Sequence, residues 1–226
     1  MDGDVSASIS RRYVVAGLGS VFCAGLAGCT TDGGGGAAPG RVRVYSYEEI
    51  YGPMPRERFP LPAVDLSKVD SKFYRREVRD PTGEKPGTLV VNTSKRYLYH
   101  VLPGRRAIRY GVGLGRAGFE WSGRGWIAWK QAWPKWTPPD EMIARNPELA
   151  KYSADNGGMP PGLNNPLGAR ALYIHNEDGD TLYRVHGTRE FASIGRAVSS
   201  GCVRMINQDV IDLYDHVRAG SPILVT

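Results

Sequence analysis

Turn-forming residues leave most of this chain only short extended runs. Between residues 88 and 114 three stretches that favour extended backbone are divided by turns. They are 88–91, 96–102 and 107–114, and the breaks fall at 92–94 and at Pro103-Gly104. In the second run Tyr97, Tyr99 and Val101 alternate with Leu98 and His100, the period of two expected of a strand. Strands this short and this closely spaced predict a mostly antiparallel architecture. Further on, 172–175 and 181–185 predict a hairpin that turns through 176–180 on Asp178 and Gly179. The closing segment is the exception. Asn207 caps a helix there, Asp209 lies in its first turn, and Val210, Ile211, Leu213, Tyr214 and Val217 form an apolar stripe. Gly220 and Pro222 end that helix before a last strand at 223–225. The expected class is mainly β with short helices.

The N-terminus reads as an address rather than as part of this fold. Arg11 and Arg12, followed by Tyr13-Val14-Val15, form a twin-arginine pattern leading into an apolar, small-residue run that ends at Gly28. That run is shorter than the roughly twenty residues a membrane-spanning helix needs, so 1–28 is expected to be a signal peptide. Leu26-Ala27-Gly28-Cys29 resembles a lipobox, which makes Cys29 the expected lipidation site. Residues 29–40 are glycine-rich and are expected to form a tether, and 41–85 an N-terminal extension before a globular domain at 86–226. The protein is then exported and periplasmic, anchored to the membrane through its lipid. The net charge of +6 survives loss of residues 1–28, whose Asp2 and Asp4 balance Arg11 and Arg12. A basic exterior suits anionic surroundings, yet no Lys/Arg cluster stands out as a nucleic-acid footprint.

In the extension, prolines at 53, 55, 60 and 62 exclude a helix or central strand from the second half of 41–63, which reads as an extended arm over the domain. Residues 67–73 suit one short helix. All five tryptophans fall between 121 and 136. Such a loop is either a platform on which sugar or peptide stacks or a block of core packing, and packing is the expectation because tryptophans carry so much apolar area. A short helix at 141–145 leads into a loop rich in Gly, Pro and Asn up to 166, either a wall of the substrate groove or a plain connection.

Chemistry concentrates in 185–204. Cys23 and Cys29 lie in the export region, so Cys202 is the sole thiol of the globular part and no disulfide framework exists there. A lone thiol outside the cytoplasm is better explained by reactivity than by packing. At neutral pH an ordinary cysteine is only a few per cent thiolate, so it needs a base. His100 and His216 read as surface or packing residues. In the hairpin register His175 lies beside the turn and His186 near Arg170, roughly 17 Å apart at about 3.3 Å per residue. They do not serve one site, and a zinc site built from both with Cys202 is disfavoured. His186 precedes Gly187 and Thr188, and Ser199, Ser200 and Gly201 form a small-residue turn that presents Cys202, with backbone amides able to cradle an oxyanion.

With these residues together the chain resembles the L,D-transpeptidase catalytic domain, also called the YkuD family, from about residue 86 to the end. HGT at 186–188 and SSGCVRM at 199–205 carry the resemblance, with sixteen positions from His186 to Cys202. The segments KQAWPKWTPP (130–139) and NPLGARALYIH (165–175) agree more loosely. The resemblance implies a sandwich-like, mainly β domain with Cys202 as nucleophile, His186 as base, and the Gly187 carbonyl holding the imidazole tautomer. It implies substrate contacts around Thr188, Ser199, Ser200, Gly201 and Arg204. Ser200 stands where many members have histidine, which bears on substrate contacts more than on catalysis. The implied substrates are peptidoglycan stem tetrapeptides, joined in 3-3 crosslinks or to a protein amine, without cofactor or metal. An L,D-carboxypeptidase, a non-catalytic wall-binding lipoprotein and a cysteine peptidase acting on protein are the alternatives.

Overall fold

The computed structural model describes residues 45–115, 121–199 and 202–226. The expected signal peptide, Cys29 and the expected tether lie outside the described residues, as do Ser200 and Gly201. The described residues form one compact unit.

Among the described residues eleven strands make one continuous sheet. They are β1 (Arg76–Arg79), β2 (Leu89–Asn92), β3 (Tyr97–Leu102), β4 (Arg106–Gly111), β5 (Gly113–Gly115), β6 (Gly123–Ala132), β7 (Arg170–Asn176), β8 (Gly179–Thr188), β9 (Ala197–Ser199), β10 (Val203–Ile206) and β11 (Pro222–Val225). Their order is β1-β4-β3-β2-β11-β6-β7-β8-β10-β5-β9. Three pairings are parallel, β10 with β8, β11 with β2 and β5 with β9, and the rest are antiparallel, in line with the mainly β expectation. Leu89, Leu98 and Tyr110 from one side of the sheet share a core with Leu172, Val185, Val203 and Met205 from the other, so the sheet folds over on itself as a sandwich. Helix α3 (Asn207–His216) fills the space between with Val210 and Leu213, and the following Val217 joins them. Lys130 of β6 donates to the carbonyls of Tyr214 and Val217 at the helix's C-terminal end, where unpaired carbonyls attract a cation.

The expected arm is present, with a helical start. Ser46 caps α1 (Tyr47–Ile50) through a capping box with Glu49. Tyr51, Val69, Phe73 and Tyr74 then pack with Ile194 and Ile206, and Leu61 packs with Trp133, Ala169 and Ile211. Two buried polar clasps hold the arm. Arg170 and Trp133 donate to Glu57, while Tyr51 donates to Asp209 and Arg75 pairs with Asp212.

Several local expectations need correction. Residues 67–73 form two 3-10 turns, Leu66–Lys68 and Ser71–Phe73, because Asp65 and Asp70 each accept a backbone N–H and start a separate turn. The run 107–114 breaks at Val112 into β4 and β5, which turn to different partners. The tryptophan segment is largely strand β6, and only Trp133 of the five is fully buried. Asn207 does not cap α3. Ile206 stands at the cap position with no side-chain bond, while the Asn207 carboxamide oxygen accepts the buried N–H of Ala169 at 2.9 Å. The helix near 141–145 forms as expected, as α2 (Asp140–Arg145).

Candidate active site

The parallel pairing of β8 and β10 builds the site. Val185 lies opposite Val203 and His186 opposite Arg204. Val185 and Val203 both point into the core. Since side chains alternate along a strand, Arg184 and His186 turn to the opposite face, as do Arg204 and Cys202 beside it. Cys202 therefore stands level with Arg184 and diagonally across from His186, with α-carbons roughly 8 Å apart from ordinary strand spacing and rise. The hairpin register places His175 against Asp180 and His186 against Ala171. His175 is thereby set apart from Cys202, as the sequence indicated.

His186 is buried, and its Nδ1 lies 2.7 Å from the Gly187 carbonyl oxygen. A carbonyl can only accept, so Nδ1 carries the proton and Nε2 of the neutral ring is left as a base. Gly187 is glycine for a steric reason. A β-carbon there would stand 2.2 Å from the Asn207 Oδ1, and one on Gly168 would stand 2.4 Å from the same atom. The helix N-terminus, through Asn207, thus presses directly on the backbone that orients the imidazole.

Burial pulls the His186 pKa down to about 4, assisted by the Arg204 and Arg184 charges and opposed by the bond to Gly187. Burial likewise pushes the Cys202 thiol up, against a backbone hydrogen bond from Arg184 and the positive charges of Arg184 and Arg204. Both shifts favour an uncharged thiol and imidazole over a thiolate–imidazolium pair.

Cys202 is partly exposed at the floor of a cavity of about 460 Å³. Trp136, Pro138, Leu167, Tyr173, Leu182 and Arg184 line it with Cys202. Leu182 has φ +60° and, among the described residues, is the most exposed large hydrophobic residue at 75%. This uncommon backbone conformation, beside a shift in register between β7 and β8, sets an exposed apolar side chain among the residues that line the cavity. The loop up to residue 166, weighed as a groove wall or a connection, supplies none of this cavity's lining, which takes residues 135–139 before it and Leu167 after it.

The other expected contacts are dispersed. Thr188 is buried, accepts the Glu190 N–H, and lines a separate cavity with arm residues 61–64. Arg204 pairs with Glu190 at 3.2 Å. Ser199 closes β9 opposite Gly115. Arg184 and Tyr173 went unrecognised in the sequence, although the two-residue step from Arg184 to His186 already put both on one strand face. Among the described residues no group of three or more His, Cys, Asp or Glu is placed to hold a metal ion.

Residues 86–225 match the model of the YkuD family, described as the L,D-transpeptidase catalytic domain. The chain belongs to this family. Among relatives of the L,D-transpeptidase domain, the Escherichia coli K12 protein named "Probable L,D-transpeptidase ErfK/SrfK" is 33% identical over 145 residues, covering 61% of this chain and 43% of its own length. "Probable L,D-transpeptidase YcfS" of the same organism is 31% identical, covering 60% and 42%. The chain thus spans less than half the length of these relatives. A solved chain from Brucella melitensis, described as a probable carnitine operon oxidoreductase, is 43% identical with a TM-score of 0.49, covering 69% of this chain and 95% of that one. An L,D-transpeptidase from Mycobacterium smegmatis gives 0.43 at 20% identity, covering 62% and 58%. Superpositions this loose decide neither activity nor partners, and membership rests on the sequence match.

Proposed function

We propose that the protein is a peptidoglycan L,D-transpeptidase that passes an acyl group through Cys202. The observation that carries this reading is the His186 tautomer, fixed by Gly187, with the free Nε2 on the strand face that bears Cys202. In the first step Sγ attacks the carbonyl of the L-centre of the third stem residue while His186 takes the thiol proton. The tetrahedral oxyanion then collapses. Its C–N bond breaks, the imidazolium returns the proton to the departing D-alanine amine, and a thioester remains on Cys202. A second amine repeats the sequence in reverse, forming an amide and restoring the thiol. With an amine of another stem as acceptor the product is a 3-3 crosslink, with a protein amine an attached protein, and with water a shortened stem.

An uncharged resting pair suits this chemistry, because the charges arise only when substrate has displaced water from the cavity. His186 is the base, Gly187 fixes its tautomer, and Arg204 steadies the adjacent strand through Glu190. Ser199, Ser200 and Gly201 directly precede the nucleophile in sequence, and Thr188 closes the strand that carries the base. The same reading places the enzyme outside the cytoplasm, with 1–28 as a signal, 29–40 as a tether, and Cys29 as the lipid attachment point.

The test is product analysis with disaccharide-tetrapeptide donors. D-alanine release with 3-3 dimers, both abolished in Cys202→Ala, is the expected result. D-alanine release without dimers identifies an L,D-carboxypeptidase. No release at all, from protein whose Cys202 remains open to alkylation, contradicts the reading.

A further inference from the structure

The strand face that carries Cys202 continues beyond it. Trp129 pairs with Tyr173 across β6 and β7, Tyr173 pairs with Arg184 across β7 and β8, and Arg184 stands level with Cys202. These side chains are layered. Trp129 stacks flat on Tyr173, with ring centroids 3.4 Å apart and planes at 8°, and the Arg184 guanidinium lies 4.7 Å from the Tyr173 ring centre. Trp126 lies on the same face of β6, because a register shift between Ile127 and Trp129 keeps both rings out of the core while Ile127 stays buried. Trp126 is 38% exposed and Trp129 44%, so two large rings face water on a strand whose intervening Ile127 is buried. Trp126 also borders a cavity of about 390 Å³ whose other walls include Arg124, Asn176, Glu177 and Asp178.

An exposed indole beside amide, carboxylate and guanidinium groups suits an amphipathic ring ligand with many hydroxyls, which offers one apolar face and a rim of donors and acceptors. We propose that Trp126 and Trp129, with the polar walls of the adjoining cavity, bind the amino-sugar glycan strand from which the donor stem hangs. This assignment rests on the transpeptidase reading of Cys202. Its measure is length. Three strand spacings separate β6 from Cys202, roughly 14 Å. Three extended residues from the sugar to the reacting carbonyl reach about 10 Å, and the lactyl link between sugar and peptide supplies most of the remainder. A stem crossing β7 and β8 under Leu182 therefore brings its third carbonyl to Cys202 while its sugar rests on the tryptophans.

Fluorescein-labelled, peptide-free glycan strands, titrated by anisotropy into the Cys202→Ala protein, provide the test. Saturable binding is expected, weakened at least roughly ten-fold by adding Trp126→Ala. Glu177→Ala, in the exposed hairpin turn, serves as a second probe less able to disturb folding, and a several-fold loss is expected there. No saturable binding, or equal binding by the Cys202→Ala parent and both variants made in it, overturns the platform. Acylation of the wild-type protein by a sugar-free tetrapeptide, run alongside, keeps the two ideas apart. Failure of acylation with glycan binding intact removes the transpeptidase reading, and the reverse pattern removes only the glycan site.

Discussion

At the scale of single residues, His186 sets the pH at which this site works. A base must be neutral to accept a proton, and a ring with pKa about 4 is neutral through the whole range in which a free histidine would be titrating. The rate of Cys202 acylation, kcat/KM for donor, is therefore expected to stay level from about pH 8 to about pH 5 and to fall only as pH drops through about 4. A midpoint near 6.5, or a rate that survives well below pH 4, would show instead a solvated imidazole or a preformed thiolate. Asn207 illustrates why one residue can be misread. Its position before an apolar stripe signals a cap, and its oxygen is an acceptor. The acceptor goes instead to the Ala169 N–H and wedges against two glycines, a partnership 38 residues away in sequence that local rules do not contain.

At the scale of elements, the arm behaves as part of the core. Glu57 is mostly buried and accepts both Arg170 guanidinium nitrogens at 2.9 and 2.8 Å together with the Trp133 indole N–H at 2.9 Å. Removing the carboxylate leaves a guanidinium and an indole N–H buried without that partner. Glu57→Ala is expected to cost about 3 kcal/mol in urea unfolding, mainly from the stranded Arg170 charge. A change under about 0.5 kcal/mol would mean that the clasp is solvated and the arm loosely held. Strand β6 shows a different limit. Its glycines and exposed tryptophans read as a loop from sequence, since neither face is uniformly apolar. What makes it a strand is pairing on both edges, with β7 and with β11 from the far end of the chain. β1, whose sequence is REVR, hides for the same reason and is defined by its pairing with β4.

At the scale of the whole molecule, local chemistry was the legible part. The β2–β3 and β7–β8 hairpins, the terminal helix and the His186–Cys202 interval follow from alternation, turn residues and motif spacing. The strand order was not legible, because β11 enters between β2 and β6, and β10 lies parallel to β8, by contacts remote in sequence. It is that parallel pairing which sets His186 and Cys202 on one face, so the motif announced the pair and the topology supplied its geometry. Arg184 and Tyr173 emerged only once the neighbouring strands were in place.

A covalent acyl group at Cys202 is the central intermediate of the proposed reaction. Rapid acid quench of the protein with a tetrapeptide donor, followed by mass analysis of the peptide containing Cys202, tests it most directly. The expected adduct is the donor mass less one D-alanine, lost on treatment with hydroxylamine as a thioester is and missing from Cys202→Ser. An unmodified Cys202 during demonstrable D-alanine release would contradict the account.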